Sequence, residues 1–112
     1  MSVAGVWKVE ILSPNGWEGL GTAFMRKGRY LSASADHYAI GRYKERGGNL
    51  RMDLRVTQHG NVRTFFGSKK KHLNIEMEGK IEKAGKIVGT SKALGVGNFD
   101  HKVRLIRLGA LD

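Results

Sequence analysis

Several residue types are absent or scarce in this chain of 112 residues, and each scarcity closes off a class of chemistry. Without cysteine there is no disulfide, no thiolate metal site and no cysteine nucleophile. The single proline, Pro14, leaves the rest of the backbone free to donate every amide hydrogen. No apolar run approaches the ~18 residues that a spanning helix requires, so no membrane partner is expected. The segment Met1–Lys8 has no basic stretch leading a long apolar one, so no secretory signal is expected and a cytoplasmic location is. Acidic residues are the scarcest charged class, 10 against 20 lysines and arginines, which gives a net charge of +10.

That charge admits two readings. It can attract nucleic acid, an anionic membrane surface or an acidic protein face, or it can solvate the outer faces of strands and discourage edge-to-edge aggregation. The remaining composition, 40% hydrophobic and 27% charged, is that of an ordinary globular chain forming one domain over residues 1–112.

What is present in quantity is alternation. In 37–58 the residues Leu50, Met52, Leu54 and Val56 alternate with Arg51, Asp53, Arg55 and Thr57. Gly47-Gly48 accepts the positive φ angles of a two-residue primed turn. That turn sets Lys44 opposite Arg51, Tyr43 opposite Met52, Gly41 opposite Leu54 and Ala39 opposite Val56. A slip of one residue would mix the polar and apolar faces. Similar short segments recur along the chain. Trp7, Val9 and Ile11 share a face in Gly5–Leu12, and Ser13-Pro14-Asn15-Gly16 is a turn. Gly19–Arg26 and Arg29–Ala35 are strands joined at Lys27-Gly28, with apolar residues on both faces. His72–Ile81 places Leu73, Ile75, Met77 and Ile81 inward, and Lys86–Leu94 and His101–Leu108 follow. Asn61–Gly67 breaks the pattern as either a short helix near 60–67 or an irregular plug whose Phe65 and Phe66 cover a barrel end.

The pattern predicts an all-β fold, a small antiparallel up-and-down barrel of about eight strands. Such an interior is filled by side chains or holds one small ligand. Its expected lining includes Ala39, Gly41, Tyr43, Met52, Leu54, Val56, Leu73, Ile75 and Met77. Glycines 21, 41, 79 and 89 stand where strands bend or pack closely.

No catalytic constellation is legible, so no enzyme activity and no cofactor are expected. His37, His59, His72 and His101 lack metal-binding or triad spacing and are expected in loops or on outward strand positions. Gly67-Ser68-Lys69-Lys70-Lys71 lacks the first glycine of a phosphate loop. Glu76 and Glu78 read as a solvated strand face. The basic residues Arg63, Lys69, Lys70 and Lys71, beside Phe65 and Phe66, offer the mixture that single-stranded nucleic acid uses. Lys44 opposite Arg51 is an unfavourable like-charge pair, unless the side chains splay apart or something acidic sits there in an assembled state.

Gly5-Val-Trp-Lys-Val-Glu-Ile, Gly19-x-Gly21, Asp36-x-Tyr38-x-x-Gly41-x-Tyr43 and the alternating Leu50–Val56 strand together resemble the GrlR-like negative regulators of type III secretion. The resemblance covers roughly the first half of the chain; the second half follows only in strand order. It implies a lipocalin-like β-barrel, a homodimer, and a non-catalytic role in restraining an activator by protein contact. It also implies a barrel interior that accepts a small apolar ligand. In that family the hairpin tip is acidic and engages the activator, whereas here it carries Lys44, Glu45, Arg46, Gly47 and Gly48, with Arg51 close behind. An acidic protein partner is therefore expected at this tip, with nucleic acid as the alternative partner.

Overall fold

Residues that alternate apolar and polar side chains bury one face as strands, and the described part of the chain uses that solution. The computed structural model describes residues 3–59, 72–83, 85–94 and 100–110, and among them there is no helix. The strands are β1 (Gly5–Ser13), β2 (Gly16–Arg26), β3 (Arg29–Ala33), β4 (His37–Arg46), β5 (Asn49–Gln58), β6 (His72–Lys83), β7 (Lys86–Ala93) and β8 (Asp100–Gly109). Each pairs antiparallel with the next, and β8 returns to pair with β1, closing an eight-stranded up-and-down barrel. The short helix or plug anticipated near 60–67 lies outside the described residues.

The β4–β5 hairpin has the register read from its alternation, including Lys44 opposite Arg51, Gly41 opposite Leu54 and Ala39 opposite Val56. Gly47 and Gly48 have φ of 56° and 84°, as a primed turn requires. The β2–β3 turn is built the same way, with Lys27 at φ 50° and Gly28 at 78°. Several strand ends differ from expectation by one to three residues, and at two of them a hydrogen bond gives the reason. β2 starts at Gly16 instead of Gly19, because the Ser13 hydroxyl holds a tight turn by accepting from the Asn15 amide (3.2 Å) and donating to the Gly16 carbonyl (2.9 Å). β3 stops at Ala33, because Ser34 turns the chain by donating its amide hydrogen to the His37 carbonyl (2.8 Å).

One end of the barrel is sealed. Trp7 stands there, its indole donating to the Val3 carbonyl at 2.9 Å, and among the described residues Trp7, Met25, Met52, Ile87 and Leu105 are the largest fully buried side chains. Ala39, Met52, Val56, Leu73, Ile75 and Met77 are buried, while Tyr43 and Leu54 are partly buried against the same core. Gly41 admits Leu54. A Cβ there would run into the Asp53 carbonyl oxygen and lie 2.7 Å from Leu54 Cδ2.

Closure has its own polar lock. Across the β1–β8 seam Arg104 Nε donates to Glu10 Oε1 at 2.7 Å, Lys8 Nζ lies 3.4 Å from Glu10 Oε2, and the Arg104 guanidinium sits 4.2 Å from the Trp17 ring centroid. The Arg104 hydrogen bond holds the Glu10 carboxyl below its ordinary value. Burial opposes that shift, and the Arg104 and Lys8 charges add to it.

Gly41→Ala should destabilise the fold by about 1–3 kcal/mol through overpacking against Asp53 and Leu54, read from urea unfolding. Glu10→Gln should cost about 2 kcal/mol at neutral pH, the scale of a hydrogen bond between charged groups. Because the folded Glu10 pKa is depressed, its contribution is present above the ordinary carboxylate value and lost as pH falls through the lowered one. The stability difference between wild type and Glu10→Gln should therefore shrink in acid.

Candidate functional site

The two primed turns lie side by side. The Tyr43 amide donates to the Gly28 carbonyl at 2.9 Å, which ties the β2–β3 tip to β4, and the Ile81 amide donates to the Gly48 carbonyl at 2.8 Å, which ties the β4–β5 tip to β6. Between the tips, on the outer wall, runs a groove of about 580 Å³ lined by Lys27, Arg29, Arg42, Lys44, Arg51 and Asp53. Five cations thus face one carboxylate. A second groove of the same size on the other side of the β4–β5 tip adds Arg46 and Lys80, with Glu78 as its acid.

Strand register explains the concentration. Arg26 pairs with Arg29 across β2–β3, and Arg29 with Arg42 across β3–β4, so three arginines form one row. None of the three makes an ion pair among the described residues, and neither does Lys44. Asp53 stands opposite Arg42, but its carboxylate lies 3.8 Å from Arg51.

The structure changes the role of Arg51. It also lies 3.7 Å from Glu76 and 3.5 Å from Glu78, both on β6. The like charge of Lys44 across the hairpin is thereby offset within the molecule, and Arg51 is the least available cation of the groove. Glu76 and Glu78, read as a solvated face, are its counter-ions. Glu45 is half-buried and Arg46 exposed at the tip. Arg63, Lys69, Lys70 and Lys71 lie outside the described residues.

The barrel interior holds a cavity of about 70 Å³ toward the end opposite the Trp7 seal, lined by Ile11, Tyr30, His37, Val56, Ser91 and Val103 among others. That is room for about two water molecules. It is well below the ~300 Å³ at which sites for drug-sized ligands begin. Burial pushes the Tyr30 phenol up to about 12, against the opposing effect of a Ser32 hydrogen bond, so Tyr30 stays neutral at physiological pH.

His101, half-buried on β8 with its Nδ1 enclosed, and His37 correct the expectation of outward or loop histidines; His37 is buried at the start of β4. It shares the parity of Ala39 and Gly41, a signal already available in the sequence. Burial lowers its pKa, reinforced by His59 and opposed by Asp36. His59 and His72 are exposed; His59 Nε2 lies 3.2 Å from the Ser34 carbonyl and His72 Nδ1 lies 3.0 Å from the Thr57 hydroxyl.

Outside the groove, the apolar residues that sequence alone left on both faces of β2 and β3 are sorted, and those of β8 divide in the same way. Ala23, Met25, Tyr30, Val103 and Leu105 point inward and are buried; Phe24, Leu31 and Leu108 point outward and are exposed. The outward set was legible as a surplus of apolar residues, but not as a patch. Compared with protein-family models and with curated proteins, the chain matches none of them.

The hydroxyl of Ser91, a residue only 5% exposed, has no hydrogen-bond partner among the described residues. Ser91→Ala should raise stability by about 1 kcal/mol if no water in the adjoining cavity bonds the hydroxyl. A loss of stability in urea titration would mean that the hydroxyl is bonded in solution.

Proposed function

We propose that this chain is a non-catalytic binding barrel that presents the cationic groove between its hairpin tips to an acidic protein segment. In that role it would be a regulator of the kind the GrlR-like resemblance implies, with the sign of the tip contact reversed. The observation that carries the reading is the row Arg26, Arg29 and Arg42 with Lys44, which line or border one groove without ion-pair partners among the described residues. Unpaired cations on a rigid wall keep their field directed outward, which steers an oppositely charged partner and fixes its register. Arginine suits the role because its planar fork engages carboxylates in a bidentate manner. The interior supports this order of readings, since about 70 Å³ leaves little room for a ligand-carrying function.

Nucleic acid is the second reading, favoured by the same arginine row, which could equally meet phosphates. A fluorescent peptide of 20 glutamate-rich residues should bind at low salt and weaken by about tenfold or more at physiological ionic strength. Arg29→Glu combined with Arg42→Glu should remove binding while leaving the far-ultraviolet circular dichroism unchanged. Absence of binding at low salt, or binding indifferent to the charge reversal, would overturn the proposal. Tighter binding of an oligothymidine of equal length would move the reading to nucleic acid.

A further inference from the structure

Beside the arginine row lies a second row. Val6 is in register with Phe24, Phe24 with Leu31, and Leu31 with Ile40, so four apolar side chains cross four strands on the outside of the wall. Phe24, Leu31 and Ile40 are 42%, 47% and 50% exposed. Isolated exposed apolar residues are ordinary, but a contiguous row bordered by charge marks an interaction surface.

We infer that the acidic partner docks as an amphipathic α-helix, its apolar stripe on Phe24, Leu31 and Ile40 and its carboxylates on Arg26, Arg29 and Arg42. The inference rests on the acidic-partner reading and adds the partner's shape. Neighbouring strands are about 4.8 Å apart, so the row from Val6 to Ile40 runs about 14 Å. A helix rises about 1.5 Å per residue, so roughly ten residues, just under three turns, would follow it. The arginine row lies two residues along the strands, about 6.6 Å away. A helix with side chains is about 10–12 Å across, so one flank of a helix seated on the apolar row reaches the guanidinium groups. Arg55, opposite Ile40 on β5, ends the apolar row with another exposed cation.

Charge complementarity selects this occupant over a second copy of the chain. In a two-fold contact centred on Leu31, symmetry sets the arginine row against itself or against the row of Thr22, Ala33 and Tyr38. None of these six residues is a carboxylate, and Asp53, next in register after Arg42, is drawn to Arg51 at 3.8 Å.

The test uses the full chain and two 14-residue peptides of identical composition. One places leucines at i, i+3, i+4 and i+7 with glutamates along one flank, and the other disperses the leucines. The patterned peptide should bind about tenfold more tightly, a difference of about 1.4 kcal/mol, and gain helical circular dichroism on binding. Leu31→Ser with Ile40→Ser, both at exposed positions, should abolish that advantage and leave affinity for the dispersed peptide unchanged. Equal affinity for the two peptides would overturn the helix and leave the acidic groove standing. Failure of both to bind would overturn both readings. If the serine variant instead converted a sedimenting dimer to monomer, or lost flotation with phosphatidylserine vesicles, the row would belong to a second copy or a membrane, and the inference would fall.

Discussion

Everything else in this molecule depends on the pairing of its two outermost strands. β1 and β8 meet across nearly the whole length of the sequence, joining Val6–Ile11 to Val103–Gly109. Without that seam the chain would be an open meander with two unpaired edges and an exposed apolar face. Closing so distant a contact carries a loop-closure cost, which the backbone ladder and the burial of Trp7, Ile11, Val103 and Leu105 offset. The Glu10–Arg104 pair adds direction. A carboxylate on the outer face is buried only where a cation from the opposite strand satisfies it, so the pair favours one register of closure over its neighbours.

Closure also moves the candidate function from the inside of the barrel to its wall. Eight strands enclose an interior that ordinary core side chains nearly fill, and Trp7 with Val3 closes one end. What the molecule offers is therefore external: a stiff, curved surface whose side chains are fixed by the ladder beneath them. On such a surface the rows across strands matter more than runs along the chain. The arginine row and the apolar row lie next to each other because residues two apart in a strand share a face, and because the tight turns keep β2, β3 and β4 in strict register. At the same tips, Arg51 is drawn into a carboxylate set from β5 and β6, which leaves Lys44 and the row of arginines as the outward field.

The sequence was most informative where order is local. Alternation in Leu50–Val56 and the Gly47-Gly48 turn specified the hairpin residue by residue, even to the space Gly41 leaves for Leu54. It was less informative at strand ends, where a single side chain such as Ser13 or Ser34 decides how tightly the chain turns. The inward position of His37 was legible from its parity with Ala39. Charge was the hardest property to read. Lys69, Lys70 and Lys71 adjoin in sequence, whereas Arg26, Arg29 and Arg42 are scattered along the chain and become neighbours only across strands.

By itself, then, the sequence determined the class of fold, the faces of most strands and the pairing within the central hairpin, because a period of two and a two-residue turn are properties of contiguous residues. The tertiary structure alone decided which scattered side chains stand side by side: Glu10 with Arg104, Arg51 with Glu76 and Glu78, and Phe24 with Leu31 and Ile40. Those groupings depend on the registers of successive strand pairs and on closure of the ring, and such non-local constraints leave no mark in any short window of the chain.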